Sequence, residues 1–264
     1  MSRATQTVSL RALLLSAACL TMSACSHYHG EPGPGPEVAR PEQVLDFATL
    51  YKSNCVGCHG ANGKNGAAIS LNNPVYIALT GEAQLQAIIA KGRANHLMPG
   101  FAQSAGGMLT DQQVTALAHG IATEWANPSA LNGQTPPPFQ STLPASAEHG
   151  QQAYGIFCAR CHGASGEGGP TNGNSPKLGS IVDPAYLALL SDQNLRSITI
   201  AGRPDQGMPD WRSDAAQPLT DQQVTDILAW IASKRTTNPG QPYVAQPSAT
   251  HQSQPMNATR STSE

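Results

Sequence analysis

The residues with the clearest capacity for chemistry are two short motifs, Cys55-Val-Gly-Cys-His59 and Cys158-Ala-Arg-Cys-His162. Within each motif two cysteines stand three positions apart and a histidine follows, so on a helical turn all three side chains lie along one side. Two such thiols can bond the vinyl groups of one haem while the imidazole coordinates its iron. Thiol redox sites and zinc sites use the same cysteine spacing. The second copy, in a matching context, favours haem.

The motifs therefore predict two covalently bound c-type haems. The predicted attachment residues are Cys55, Cys58, Cys158 and Cys161, and the predicted iron ligands are His59 and His162. Backbone carbonyls near Ala67 and Pro170 are candidate acceptors for the Nδ1 protons of the two histidines, as is common for metal-bound imidazoles.

A sixth ligand for each iron is predicted at Met98 and Met208, each of which precedes a proline. The proline keeps the segment extended. A thioether opposite histidine favours Fe(II) and raises the reduction potential, which suits an electron carrier. His96 and Met108 compete for this role in the first half of the chain. Neither recurs at the equivalent position of the second half, so both are predicted to be surface or packing residues.

Two arginines, Arg93 and Arg203, stand at equivalent positions just before the methionines. A guanidinium there can pair with a haem propionate. A solvated arginine is the alternative, and the sequence leaves both open.

An internal repeat connects the two motifs. Tyr154, Cys158 and His162 each lie 103 residues after Tyr51, Cys55 and His59, and from Pro74 onward the spacing to the second copy is 110. Seven residues are thus gained in the loop after the second motif. Gly92-Arg93, Met98-Pro99 and the heptapeptide Leu109 to Thr115 all recur. A repeat of this quality predicts two like domains in tandem.

With these motifs the chain resembles the class I cytochromes c, and among them the dihaem proteins with tandem domains, over residues 42–126 and 147–236. The resemblance implies an all-α fold of a few helices around one covalent haem in each domain. It also implies that the first and last helices of a domain cross closely. We therefore expect Phe47 to contact Gly120, and Gly150 to contact Trp230.

Local signals predict three helices of the first domain. One is expected from about Pro41 to Cys55, where apolar residues recur at helical spacing. A second is expected from Glu82 to Lys91, ended by Gly92. The third should begin after Thr110, whose side chain can cap it together with Gln113, and run to about Trp125.

The N-terminal segment carries targeting signals. Arg3 and Arg11 flank a short apolar run that is too short to span a bilayer, which predicts a secretory signal. Met22-Ser23-Ala24-Cys25 resembles a bacterial lipoprotein processing site, which implies lipidation of Cys25; cleavage after Ala18 is the alternative. The predicted organisation is: signal peptide 1–24, lipidated cysteine and Pro/Gly tether 25–41, domain 42–127, Pro-rich linker 128–146, domain 147–236 and disordered tail 237–264.

Composition limits the function further. The formal charge is −2 and no basic run is present, so a nucleic-acid partner is not expected. Aromatic residues make up 5% of the chain, which is little for two small cores, and a haem would supply the missing apolar volume.

The leading hypothesis for function is a lipid-anchored dihaem electron carrier on the periplasmic side of a bacterial membrane, with respiratory redox proteins as partners and no small-molecule substrate. The alternative is a fixed cytochrome subunit of an oxidase, quinol-oxidising or dehydrogenase complex. A third hypothesis is an enzyme, such as a dihaem peroxidase or a thiosulfate-oxidising cytochrome. It is less favoured, since His and Met on each iron would leave no open coordination position.

Overall fold

The regular structure of the chain is helical. The computed structural model describes residues 35, 38–93, 97–169, 178–212 and 216–236. Within these ranges there are α-helices, short 3-10 turns and a few isolated β-bridges. The predicted all-α fold is confirmed. The signal peptide, Cys25 and the C-terminal tail from 237 lie outside the described residues, and so do His96 and Pro170.

The same series of helices occurs twice. The described residues from Val44 onward belong to one compact unit that contains both series. In domain 1 the helices are α1 (Phe47–Asn54), α2 (Val56–His59), α3 (Pro74–Thr80), α4 (Glu82–Lys91) and α5 (Asp111–Glu124). In domain 2 they are α6 (Ala147–Phe157), α7 (Ala159–His162), α8 (Pro184–Leu189), α9 (Asp192–Ala201) and α10 (Asp221–Ala232).

The first helix starts later than the periodicity predicts. Pro41–Gln43 form a 3-10 turn, and α1 begins only at Phe47. The Asp46 side chain accepts a hydrogen bond from the Thr49 backbone N–H and caps the helix there. The Val44 carbonyl, which lies before the helix, accepts a hydrogen bond from the Gln113 side-chain amide at 3.0 Å. An aspartate at a cap position therefore overrides the apolar pattern that continues through it.

The other predicted helix ends agree with the structure. Helix α4 ends at Lys91 and is followed by Gly92 with φ 75°, in the left-handed region that glycine tolerates. Helices α5 and α10 both begin with a capping box, formed by Thr110 with Gln113 and by Thr220 with Gln223. The repeated heptapeptide thus folds identically in both domains.

The terminal helices of each domain cross closely, but the two crossings differ in detail. In domain 1 a Cβ on Gly120 would lie 2.2 Å from the Phe47 ring, so the predicted pair is in contact. In domain 2 the atoms nearest to Gly150 are backbone atoms of Asp226 and Ile227, not the Trp230 ring. Trp230 packs one turn further along, against Tyr154, with ring centroids 4.3 Å apart.

The Pro-rich segment between the domains packs against domain 2. Its Pro138 carbonyl accepts two hydrogen bonds from Arg196, at 3.0 and 2.9 Å, and its Phe139 carbonyl accepts one from Gln193 at 2.8 Å. Arg196 is 5% exposed and also pairs with Asp221. The buried guanidinium is therefore neutralised by a domain 2 carboxylate and solvated by the Pro138 carbonyl of the linker.

Candidate haem sites

Both Cys-x-x-Cys-His motifs lie at a helix junction with the same backbone geometry. The N–H groups of Cys58 and His59 donate to the Cys55 carbonyl at 3.2 and 3.0 Å, and Cys161 and His162 donate to the Cys158 carbonyl at the same two distances. A single turn therefore brings two sulfurs and one imidazole to one side of the chain, as the spacing predicts.

The first cysteine of each motif has the wrong acidity for disulfide exchange. All four cysteines of the two motifs are free in the structure. Burial, with a smaller contribution from Cys58, raises the pKa of Cys55 to about 12. Burial and Cys161 raise the pKa of Cys158 to about 12 as well. A thiol redox centre needs a lowered pKa. The raised pKa values of Cys55 and Cys158 thus disfavour the thioredoxin-like alternative.

The two histidines are held as neutral imidazoles. His59 is 7% exposed, and its Nδ1 lies 2.8 Å from the Ile69 carbonyl. Burial lowers the pKa of His59 and, in the second domain, that of His162. The Ile69 carbonyl fixes Nδ1 as the donor nitrogen and leaves Nε2 as the free lone pair, which is the form an iron ligand needs.

The prediction placed the acceptors near Ala67 and Pro170. The acceptor for His59 is the Ile69 carbonyl, two residues beyond Ala67. For His162, the Nδ1 atom is buried without a partner among the described residues, and the predicted Pro170 lies outside them. A buried polar nitrogen of this kind is expected to have an acceptor.

In each domain a tyrosine hydroxyl forms a hydrogen bond with the loop that follows the motif. The Tyr51 hydroxyl donates to the Gly60 carbonyl at 2.8 Å, and the Tyr154 hydroxyl donates to the Gly163 carbonyl at 2.8 Å. Gly60 and Gly163 have φ of 80° and 83°, so the chain turns away from the histidine identically in both domains. Sequence reasoning used these tyrosines only to align the repeat. Their invariant spacing to the histidine was the signal for this bond.

The methionine loops are closed by one repeated backbone bond. The Arg93 N–H donates to the Met98 carbonyl at 2.9 Å, and the Arg203 N–H donates to the Met208 carbonyl at 3.0 Å. Both methionine side chains are partly buried, and Met98 packs against the core. Met108 is 85% exposed, as expected for a surface residue. The two candidate ligands thus occupy equivalent loops.

The two arginines before these methionines have different partners. The Arg93 guanidinium lies 5.4 Å from the ring centroid of Phe139 in the linker, a cation–π arrangement. The Arg203 Nη2 donates to the Gly66 carbonyl of domain 1 at 2.9 Å, and its Nε lies 3.5 Å from Asp205. Equivalent sequence positions therefore do not imply equivalent contacts.

Together these groups fit a covalently attached haem. Each domain offers two free thiols and a neutral imidazole on one turn, a loop held by a tyrosine hydrogen bond, and a methionine in a second loop. Zinc held by protein groups alone would need a further set of ligands. Among the described residues no group of three or more His, Cys, Asp or Glu side chains is placed to hold a metal ion.

The sequences of both domains match known families. Residues 147–235 match the cytochrome c family, and residues 42–119 match the family described as cytochrome c oxidase, cbb3-type, subunit III. The chain is a c-type cytochrome. Cytochrome c domains bind haem c covalently, and this cytochrome has one Cys-x-x-Cys-His motif in each domain, which corresponds to two haems.

Curated relatives of this cytochrome are cytochrome bc1 complex cytochrome c subunits. The protein of that name from Corynebacterium diphtheriae is 22% identical over 224 residues, which are 77% of this chain and 73% of the relative. The one from Mycobacterium leprae is 27% identical over 206 residues, covering 75% of this chain and 65% of the relative.

A solved structure is also similar in part. It belongs to the reducing HAO-like protein complex of Kuenenia stuttgartiensis, with 15% identity, 76% of this chain and 99% of that chain covered, and a TM-score of 0.42. A score of this size does not establish a common fold. In the part of the chain that the structure describes, no helix is long and apolar enough to cross a membrane.

Proposed function

We propose that this cytochrome transfers electrons as a dihaem cytochrome c subunit of a membrane respiratory complex. The observation that carries the proposal is the repeated site: two haem-binding motifs on identical turns, and in each domain a methionine loop closed by the same backbone bond. When bound, each haem supplies an Fe(II)/Fe(III) couple that takes and gives one electron. The chain's own residues hold the ligands in place through this exchange.

The assignment to a complex rests on the relatives. Those reported above are named as subunits of the cytochrome bc1 complex, and the family matched by domain 1 is a subunit of a cytochrome c oxidase. These names support a fixed subunit. A freely diffusing carrier is the alternative hypothesis for the same two sites. We propose a quinol-oxidising assembly as the partner, and the names of the relatives support a respiratory complex.

We further propose His59 with Met98, and His162 with Met208, as the axial ligand pairs. The Ile69 carbonyl keeps the His59 ring in one tautomer, and the backbone bond from Arg93 to Met98 fixes the reach of the methionine. Two protein ligands on each iron leave no position for a substrate. This supports an electron-transfer role and argues against a peroxidase.

The proposed location is the periplasmic side of a bacterial envelope. A secretory signal and a lipidated Cys25 would deliver the chain there and anchor it, since two or more acyl chains give stable membrane attachment. The domain boundaries 42–127 and 147–236 complete this proposal.

Two measurements test the function. Intact mass spectrometry of the mature protein should give a mass increase of two haems, and a single haem would contradict the dihaem assignment. Mild detergent extraction should recover the protein in one stable assembly with other redox subunits. Recovery as a lone protein that still exchanges electrons with a soluble partner would favour the free carrier instead.

A further inference from the structure

A buried ion pair of domain 2 lies against the haem loop of domain 1. Asp205 has a side chain only 2% exposed, and its Oδ1 lies 3.5 Å from Arg203 Nε, whose side chain is 12% exposed. Burial of a carboxylate is costly unless other groups solvate it. The second partner comes from domain 1: the Asn65 backbone N–H donates to Asp205 Oδ2 at 2.8 Å. Arg203 Nε and Asp205 Oδ1 have no hydrogen-bond partner among the described residues, so the carboxylate depends on the N–H group of domain 1 for its solvation.

Arg203 makes the matching contact beside it. Its Nη2 donates to the Gly66 carbonyl at 2.9 Å, so adjacent residues of domain 1 receive one donor and one acceptor from domain 2. Deeper in the same interface, the buried Asn73 side chain donates to the Ala201 carbonyl at 2.9 Å. Three hydrogen bonds thus join the end of α9 and the loop after it to domain 1.

The contacted loop is part of the first haem site. A Cβ on Gly66 would lie 2.2 Å from the Cys58 carbonyl oxygen and 2.6 Å from the His59 carbonyl carbon, so Gly66 rests directly on the haem-binding turn. Asn65 has φ 61°, a left-handed conformation that is uncommon for a residue with a side chain. In domain 2 the equivalent position is Gly168, with φ 77°. The hydrogen bond to Asp205 stabilises the strained residue in domain 1.

Arg203 is also part of the second haem site. Its backbone N–H holds the Met208 carbonyl at 3.0 Å, while its side chain reaches the turn that carries His59. We propose that Arg203 and Asp205 form an interdomain clamp, a positioning pair that fixes the Met208 loop of domain 2 against the His59 loop of domain 1. The clamp holds the two redox sites at one separation and places a charge pair of domain 2 beside the haem-binding turn of domain 1.

This inference rests on the proposed function, since it assigns the clamp a role in electron transfer between the sites. The charges of Arg203 and Asp205 predict how each residue affects the reduction potential of the domain 1 haem. The positive charge of Arg203 lies at the Gly66 carbonyl, on the loop that rests against the His59 turn, and should favour the less positive Fe(II) state at that site. Removal of Arg203 should therefore lower the potential of the domain 1 haem, and removal of Asp205 should raise it.

The first readout is hydrogen exchange at the Asn65 amide in the full-length protein with both haems bound. Asp205→Ala removes its acceptor, and Arg203→Gln weakens the hold on the next residue. Both should speed exchange at Asn65 by about tenfold or more, since hydrogen bonds to charged groups are strong. Arg203→Lys keeps a charge and a donor, and should restore much of the protection.

Arg235→Gln is the matched control. Arg235 bonds Asp192, Leu187 and Leu190, all within domain 2, so its loss removes an arginine and an ion pair without touching domain 1. Exchange at Asn65 should stay at the wild-type rate in this variant.

The second readout is redox titration of the same proteins, with the domain 1 haem identified through the Met98→Ala variant. Opposite shifts in Arg203→Gln and Asp205→Ala support the clamp, because a purely structural loosening would move both potentials the same way. Shifts of equal sign, or unchanged exchange at Asn65, would overturn it. If Arg203→Gln loses a haem, the two variants Asp205→Ala and Arg203→Lys, measured separately by hydrogen exchange and redox titration, test the clamp instead. If the wild-type protein shows no electron transfer, the proposed function is wrong. The hydrogen-exchange result at Asn65 would still test the contact between the domains.

Discussion

The Gly150→Ala substitution probes the closest approach between helices α6 and α10. The added Cβ would lie 1.9 Å from the Asp226 carbonyl oxygen and 2.4 Å from its carbonyl carbon, whereas ordinary van der Waals contact begins at 3.4 Å. The obstructing atoms are backbone atoms in the middle of a helix, so no side chain can rotate away. The helices would have to separate by roughly 1 Å or more to relieve such a contact.

The expected cost follows from two opposing effects. Overpacking of a core typically costs about 1–3 kcal/mol of unfolding free energy. Alanine gains about 0.5–1 kcal/mol over glycine through its better helix propensity. The net loss should be about 1–2 kcal/mol, which lowers the melting temperature of a domain of this size by roughly 5–15 °C.

Gly155→Ala in the same helix is the control. No atom lies within 4 Å of a Cβ built on Gly155, so only the propensity gain should remain. This variant should be more stable than the wild type by about 0.5 kcal/mol or slightly more. Thermal unfolding of the holo-protein, followed by helical circular dichroism, measures both. If Gly150→Ala melts at or above the wild-type temperature, the close crossing of α6 and α10 is wrong.

Four further substitutions test the sites and the anchor. Met98→Ala and Met208→Ala should each remove one near-infrared methionine-to-iron band, lower the potential of one haem and open one iron to small ligands; two bands that survive would contradict the axial assignment. Tyr154→Phe leaves the Gly163 carbonyl without its donor and should cost about 1 kcal/mol in denaturant unfolding, and an unchanged midpoint would argue against that bond. Cys25→Ser should move the protein from the membrane to the soluble fraction, and continued membrane binding without lipid would refute lipidation.

Local patterns predicted the haem motifs and most helix ends well. The turn of Cys55 to His59, the end of α4 at Gly92 and the caps of α5 and α10 depend on residues within four positions of one another. Such interactions are readable from spacing alone. The late start of α1 could also have been read, because Asp46 lies three residues before Thr49 and is a strong cap.

Features that depend on the path of loops were not accessible in this way. The acceptor for His59 is Ile69 because a glycine-rich loop folds back at one point, and many paths fit the same composition. Asp205 contacts Asn65, which is 140 positions away, and Arg203 contacts Gly66, which is 137 positions away. The repeat suggested equal roles for Arg93 and Arg203. However, the two domains meet through different surfaces, so each arginine has a different environment.

The environment of Arg196 has a consequence for where this chain can be divided. The residue belongs to α9 of domain 2, yet two of its hydrogen bonds end on Pro138, which lies nine positions before the start of the first helix of that domain. A fragment that starts at Ala147 would leave a buried cation with half of its solvation missing. The autonomous folding unit of the second domain should therefore begin before Pro136. Proteolysis of the native chain should spare residues 136–139 and act elsewhere first.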